Sequence, residues 1–565
     1  MGDDSATAPL LTSHKQASND NKLSKKKKAP SIDDAVEKYM GNTGSMQLLK
    51  AIFLAFAWAF DAQQVFISVF TDAEPRWHCT DDDHSVCSAS APSPCAFPAG
   101  SWAWDRPAHT SMVSEWGLNC SPTLVSLPAS SFFAGCLAGG FLLATLADSS
   151  LGRKKMLLFA LSCMSAAGAL TAFAPNVWAY AALRFVSGFG RSILGTCTLV
   201  LSTELVGKRW RDTVSVAGFF FFSVGFLSLP ALAYYAVRDA SWRSMYFWTS
   251  VPALCYAALL YAFVQESPRW LLVRGRKQDA IDALRQIASL NGGGGGGSVT
   301  SSFSMLHACI VMPQEDEQHD ADAAASSGNG KGGVFDTVRA IAERPWATRR
   351  LAAIMTASFG IGMVYYGMPL NVGNLGSSLY LSVTYNALAE LPASLLVWLF
   401  IGRINRRVSL VVVTVVAGAL SLACVAIPET RAAARMACEI VSFCATCTAF
   451  NVSLIYSIEL FPTSVRNSAV GLVRQALVLG GVVAPVLVAL GRERSFWSFG
   501  VFGLTIGCLG LFVVCLPETR GRNMADTMDE EEDNQLYAAS SCAAAGPDDD
   551  GPDIVHADCN GAAIV

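Results

Sequence analysis

The chain has 565 residues, of which 52% are hydrophobic and only 15% charged, with a formal net charge of −4. That composition excludes an ordinary soluble protein, which carries about a quarter charged residues and shows polar faces at helical spacing. The charge is also uneven: from Pro517 onward there are 12 acids and 2 bases, so the rest of the chain is +6 and the acidity says nothing about a ligand.

In chain order, residues 1–47 read as a polar tail containing the run Lys25–Lys28. The first apolar stretch begins at Leu48, so no cleavable signal is expected. Crossing the hydrocarbon core takes roughly 20 apolar residues of helix. Six stretches qualify in the first half, at 48–70, 123–147, 156–174, 177–201, 214–237 and 242–264. Six more follow at 350–372, 379–401, 409–427, 433–458, 468–490 and 495–516. The predicted fold is an all-α membrane protein, with halves at 48–264 and 349–516 joined by a linker at 265–348.

Between the first two spans, a loop at 71–122 holds Cys79, Cys87, Cys95 and Cys120. An even set in a non-cytosolic loop points to two disulfides, with three pairings open. Asn119-Cys120-Ser121 matches the glycosylation pattern, but it abuts a span and uses a candidate disulfide cysteine, so it is expected to be unused. In the linker, residues 278–290 read as an amphipathic helix with Ile281, Leu284 and Ile287 on one face. Six glycines at 292–297 and a polar stretch then mark a flexible connection. Ala325 to Gly332 approaches a phosphate-binding loop, but Gly332 follows Lys331 where Ser or Thr is needed, so nucleotide binding is rejected. The tail at 517–565 is acidic, and its Asp548–Asp550 part is expected to be disordered. Arg153-Lys154-Lys155, Lys208-Arg209-Arg211, Arg274-Arg276-Lys277 and Arg403-Arg406-Arg407 all fall on one side of the spans. By the positive-inside rule this is the cytosol, and both termini join it.

A signature occurs twice. Glu204 precedes Arg211 by seven residues, and about 250 residues later Glu459 precedes Arg466 by seven. Arg153-Lys154 is echoed by Arg406-Arg407, and Glu266 by Glu518. Three echoes in one order indicate a duplicated unit. Paired six-helix halves are how carriers place a site between two rocking bodies, so the pattern predicts transport. Asp148, Arg153, Glu204, Arg211, Glu459 and Arg466 are the candidate gating residues. Asp148 and Arg153 share the tightest loop, where a carboxylate can pair with bases or with a helix N-terminus across the halves. The second copy has Gly402 in place of an acid, so an asymmetric latch is expected. The offset of seven is too long for a direct contact within one helix, which favours Glu204 and Glu459 pairing across a loop or between halves.

Charges inside the spans face a cavity or a partner, because each costs a few kcal/mol in hydrocarbon. Asp61, Arg191, Glu390, Glu439 and Arg474 fall in this class. No histidine lies in a span, so proton coupling, if present, must use carboxylates. Glu390, central in span 8, is the candidate counter-charge for a cationic substrate; an internal pair with Arg191 or Arg474 is its alternative. Span 7 adds Tyr365, Tyr366, Asn371 and Asn374 among glycines, where aromatic faces can hold an ammonium. With Asp61, Gln64 and Arg474, these form the candidate substrate-binding set.

Together these motifs resemble the organic cation/carnitine transporters of the major facilitator superfamily, the plant branch most closely. The matching segments run from Phe60-Asp61-Ala62-Gln63-Gln64 and Phe70-Thr71-Asp72-Ala73 through Trp104-Asp105-Arg106-Pro107 and Asp148-Ser149-Ser150-Leu151-Gly152-Arg153. They continue with Ser202-Thr203-Glu204-Leu205, Glu266-Ser267-Pro268-Arg269, Leu370-Asn371-Val372-Gly373-Asn374, Glu459-Leu460-Phe461-Pro462 and Pro517-Glu518-Thr519-Arg520. The resemblance covers residues 48–530. It implies the major facilitator fold with twelve transmembrane helices, alternating access, and a substrate such as carnitine, choline or a polyamine. Glu390 matches a pocket carboxylate of cation-carrying relatives, and Tyr365 a pocket tyrosine. Animal cation carriers have an acid where this chain has Val478, with Arg474 one turn earlier, which favours a zwitterion. Coupling is open among proton, sodium and none, and the membrane between plasma and vacuolar.

Other classes fit less well. Sugar porters lack the long cysteine-bearing loop, and a non-transporting sensor would not need the gating motifs. The sequence shows no nucleophile–base set, metal cluster or cofactor fingerprint, so an enzyme is not expected. The expected partners are a small organic cation or zwitterion and the lipid bilayer, with no nucleic acid and no second subunit.

Overall fold

The computed structural model describes residues 45–80, 87, 93–98, 100–149, 152–235, 240–290, 334–375, 378–400, 403–492, 495–520, 525 and 527–533. The Lys25–Lys28 run, the six glycines, the segment from Ala325 to Gly332 and Asp548–Asp550 lie outside the described residues, as does the side chain of Asp148.

Among the described residues twelve helices form the body. The first half contains α1 (Ser45–Thr71), α2 (Pro122–Ser149), α3 (Arg153–Thr171), α4 (Val177–Glu204), α5 (Lys208–Tyr235) and α6 (Arg243–Phe263). The second contains α7 (Pro345–Asn371), α8 (Leu379–Phe400), α9 (Arg406–Ala426), α10 (Ala432–Glu459), α11 (Thr463–Leu490) and α12 (Phe499–Cys515). Nine helices among the described residues are long and apolar enough to cross a membrane; α12 is a shorter apolar helix, and α3 and α8 complete the twelve. Local chemistry sets several ends. Asn176 caps α4 by accepting from the Ala179 N–H at 2.9 Å, which satisfies one of the donors a helix start leaves free. Pro345 opens α7, where its missing N–H costs nothing.

The duplication is visible in the packing. Within the first half α1 packs on α5, α2 on α4, α3 on α4, and α3 on α6. The same pairs recur six helices later: α7 on α11, α8 on α10, α9 on α10, and α9 on α12. The halves meet along α2–α11 and α5–α8. Small residues allow the closest crossings: a Cβ at Gly188 on α4 would sit 1.9 Å from the Phe132 carbonyl oxygen on α2. The outer surface is apolar. Phe173, Trp178, Tyr235 and Tyr261 are 66–84% exposed, which suits lipid and not water.

The two ends of the bundle differ. At one, the loop after α1 forms a two-stranded antiparallel ribbon, β1 (Trp77–Cys79) and β2 (Trp102–Trp104), in register Trp77 to Trp104. Cys79 pairs with Cys87 and Cys95 with Cys120, at S–S distances of 1.97 and 2.16 Å. Glu115 ties this loop end to α6, accepting from Arg243 at 2.8 Å and from the Trp242 indole. At the other, basic end, the linker contributes helices Pro268–Val273 and Lys277–Leu290.

Candidate functional site

Glu390 sits in the middle of α8, 7% exposed. Tyr365 on α7 donates its hydroxyl to Oε1 at 2.7 Å, while Oε2 has no hydrogen-bond partner. Among the described residues Glu390 forms no ion pair, so neither Arg191 nor Arg474 neutralises it. Tyr365 is itself enclosed by rings drawn from both halves. The Tyr365 ring stacks on Phe450 of α10 at 4.4 Å and on Phe443 at 6.0 Å, and meets Phe66 of α1 edge-on at 6.4 Å. Tyr366 faces Phe133 of α2 at 4.6 Å. The structure therefore brings Glu390 and Tyr365 into contact and packs Tyr365 and its neighbour Tyr366 among Phe66, Phe133, Phe443 and Phe450. The spacing of Phe443 and Phe450, two helical turns apart on one face, was the signal available for the α10 pair; nothing local marks Phe66 or Phe133.

The other candidates part from this group. Asp61 is buried in a bidentate ion pair with Arg191, at 2.7 and 3.1 Å. The short break in α4 at Ser192 and Ile193 immediately follows that arginine. Asp61 is thus spoken for within the first half, contrary to the expectation that it faces a substrate. Gln64 is likewise turned inward, donating to Thr249 and Ser250 of α6 at 3.3 and 3.2 Å. Asn371 accepts from Asn374 at 2.6 Å and finishes the end of α7. Arg474 bridges the halves: its Nη1 donates to Thr196 Oγ1 of α4 at 2.6 Å.

At the basic end the repeated carboxylates Glu266 and Glu518 cap helices. Glu266 Oε1 accepts the Lys154 N–H at 3.0 Å. Glu518 accepts the Arg406 and Arg407 N–H groups at 2.8 and 3.1 Å. Each carboxylate lies 112 residues beyond the first N–H it binds, one per half. Both sit at helix N-termini, where the dipole favours negative charge. Glu459 pairs with Arg406 at 3.2 Å and accepts from Thr519 at 2.5 Å, so its partners lie in its own half and not across the interface. Arg466 donates to the Phe461 carbonyl at 3.2 Å. Glu204 ends α4 with a buried, unpartnered Oε2, Arg211 lies in the first turn of α5, and Arg153 opens α3.

Sequence reasoning missed the closure at the loop end. Arg492, just past α11, forms an ion pair with Glu74 of the first half at 3.2 Å and donates to the Asp72 carbonyl at 3.2 Å. Arg106 donates to the Tyr380 hydroxyl at 3.2 Å, and Phe70 stacks on Tyr380 at 5.9 Å. These contacts border a cavity of about 810 Å³ lined by Asp72, Glu74, Arg76, Tyr234, Tyr380 and Arg492, among others. Asp72 accepts from Tyr180 at 2.7 Å and Thr71 at 2.9 Å. Burial nevertheless pushes its carboxyl up to about 6, against the pull of those hydrogen bonds and of Arg184 and Arg492. Burial likewise raises Glu74, opposed by Arg492.

Twelve lipid-facing helices, a packing scheme repeated across two halves and a polar centre at their interface define a membrane carrier. Comparison with known proteins places it further. Residues 107–485 match the Major Facilitator Superfamily. Organic cation/carnitine transporters 2 and 3 of Arabidopsis thaliana are 49% identical over 531 residues (93% of this chain, 96% of theirs) and 50% identical over 505 (89% and 93%). Solute carrier family 22 member 3 of Mus musculus is 30% identical over 447 residues, covering 78% of this chain and 75% of its own. Among solved structures, the inward-open xylose transporter XylE from E. coli aligns with a TM-score of 0.57 at 17% identity, over 87% of this chain and 99% of its own, a likeness of fold alone. The chain belongs to the major facilitator superfamily and, within it, to the organic cation/carnitine transporters; it is a transporter and not an enzyme.

Proposed function

We propose that this carrier moves a small organic cation or zwitterion of the carnitine, choline or polyamine class by alternating access, with Glu390 as the counter-charge for the substrate's ammonium. The observation that carries this is a buried carboxyl, free of any ion pair among the described residues and hydrogen-bonded to a tyrosine that is packed among aromatic rings of both halves. An ammonium there gains charge pairing and cation–π attraction together, each strengthened by exclusion of water. Tyr365 holds the carboxyl in place, and Tyr366 and Phe450 supply faces. Arg474, on α11 and bonded to Thr196 of the first half, offers a guanidinium for the carboxylate of a zwitterion, which favours carnitine over choline.

The helices at 48–264 and 349–516 act as the two rocking bodies. The loop end is the non-cytosolic face, in keeping with its two disulfides, and the basic end and both termini are cytosolic. The housing membrane is plasma or vacuolar, and the carrier works as a monomer. Uptake of labelled carnitine and choline into liposomes holding the purified chain tests the reading. Saturable carnitine uptake that falls at least about tenfold in Glu390→Gln is expected, matching the loss of roughly 1.4 kcal/mol or more of charge-assisted binding. Unchanged uptake and affinity in that variant would remove Glu390 from the pocket.

A further inference from the structure

We propose that Glu439 is the proton-carrying carboxyl that couples this transport to a proton gradient, linked to Glu390 through Asn386; this rests on the reading of Glu390 as the substrate's counter-charge. Three in-span carboxyls have described side chains away from the helix ends: Asp61, Glu390 and Glu439. Asp61 is neutralised by Arg191, and Glu390 accepts from Tyr365. Glu439 lies two turns into α10 from the loop end and is 0% exposed. Its Oε2 accepts from Asn386 Nδ2 on α8 at 3.3 Å, and its Oε1 has no hydrogen-bond partner.

The surroundings supply no counter-charge. From α8 it meets Asn386; Glu390 lies one turn further along that helix. From α9 the charge-sensitive neighbour is the Cys424 thiol, and from its own helix Cys438, Cys447 and Arg435. Tyr365 of α7 lies on the Glu390 side, near Cys447. Arg435, one turn away on α10, forms no ion pair with Glu439, and no other cation does so among the described residues. An ionised carboxylate in such a place costs several kcal/mol, so the neutral acid is the resident form in this state. A carboxyl that stays neutral while buried, and ionises once water reaches it, can carry a proton across a conformational cycle.

Asn386 is the mechanical link. It sits one turn before Glu390 on α8, where residues four apart share a face. Besides Glu439, its Nδ2 donates to the Ser382 carbonyl at 3.1 Å, and its Oδ1 is unpartnered. Movement of α8 as Glu390 takes or releases an ammonium changes the Asn386–Glu439 contact. The step balances simply: Glu439 forms one O–H bond with a proton from one side and breaks it toward the other, and nothing is oxidised or reduced.

The test uses the full chain in liposomes with two readouts. The first is exchange of labelled carnitine and choline without a pH gradient. The second is substrate accumulation driven by a pH gradient, with lumenal pH followed by pyranine. Glu439→Gln is expected to keep exchange within about twofold of the parent, to lose accumulation above equilibrium, and to lose substrate-induced proton entry. Glu439→Asp is expected to restore part of both. Gradient-driven accumulation persisting in Glu439→Gln would overturn the proposal, as would intact exchange in the parent with no substrate-linked proton flux. If the parent exchanges neither substrate, the Glu390 reading fails and takes this one with it, an outcome distinct from the other two. Should Glu439→Gln fail to fold, Asn386→Ala carries the test: a shifted pH midpoint of uptake with exchange retained supports the link, and an unmoved midpoint overturns it.

Discussion

Asp61 and Glu390 obey the same rule, that a carboxylate inside a span must find a partner or a cavity, and they satisfy it in opposite ways. Asp61 has a guanidinium in bidentate contact, whereas Glu390 accepts from a tyrosine hydroxyl and, among the described residues, forms no ion pair. Their mutational consequences should therefore differ in kind. Asp61→Asn strands Arg191 in a buried site, a loss of about 3–5 kcal/mol for a broken buried pair. A lower Tm in detergent is the expected reading, with much of it recovered when Arg191 is replaced by Leu in the same chain. Tyr365→Phe keeps the ring stacked on Phe450 and removes the tyrosine hydrogen bond to Glu390. A hydrogen bond to a charged group is worth about 1.5–3 kcal/mol, so KM for carnitine should rise at least about tenfold with Tm little changed. Polarity within a span is legible in sequence, and so is the need for a partner. Which partner is chosen is not, because Asp61 and Arg191 are 130 residues apart and only the packed bundle brings them together. Gln64 and Asn371 were placed with the substrate for the same reason, and in the bundle they complete hydrogen bonds to α6 and to Asn374.

The helices themselves were legible because hydropathy over a single stretch decides them and no distant contact is required. Their ends were less so. The second-half spans expected at 350 and 409 start at Pro345 and Arg406, since arginines in a first turn at the membrane face remain helical. At Arg406 a distant carboxylate also fixes the boundary: Glu518 takes the first two N–H groups of α9, as Glu266 takes one from α3. The repeated acid was visible as an echo, but its role depended on a contact 112 residues away. The cap on α3 leans on Gly152, whose φ of 84° suits glycine and where a Cβ would lie 2.4 Å from Glu266 Oε2. Gly152→Ala combines left-handed backbone strain of about 1–2 kcal/mol with displacement of the cap. Glu266→Ala removes the cap alone, at about 0.5–2 kcal/mol. Thermal melts of the two variants should rank Gly152→Ala as the more damaging, and equal melts would mean that Glu266 does not hold α3. The start of the acidic tail is anchored as well: Glu531 pairs with Arg350 at 2.7 Å and Arg344 is held by Asp529 and Glu532, fastening residues 528–533 to the start of α7.

At the scale of the molecule, the loop end is held shut by groups that respond to pH. Arg492 of the second half grips Glu74 and the Asp72 backbone of the first, beside a carboxyl that titrates near 6 in place of its usual 3.8. When the halves part at this end Asp72 meets water, and its affinity for a proton returns toward the usual value. At pH 7 it is ionised in both states, and its burial as a carboxylate counts against the closed one. Between pH 6 and 4 the closed state holds the proton and the open state does not, so each unit of acidification favours closure by about 1.4 kcal/mol, to a limit of about 3 kcal/mol. Glu74 is also raised by burial; its protonation weakens the pair with Arg492, but the direction shows that desolvation outweighs that attraction, and it works the same way. Acidifying the loop side from pH 7.5 to 5 should therefore enrich the closed arrangement. Pulsed electron-spin distances between labels on the loop ends of the two halves, recorded in nanodiscs, measure that population directly. Asp72→Asn, which mimics the protonated form, should be closed at both pH values, and Arg492→Ala should be more open at both. A parent whose loop-end distance widens on acidification would mean that the Glu74–Arg492 attraction, and not the burial of carboxylates, governs this gate.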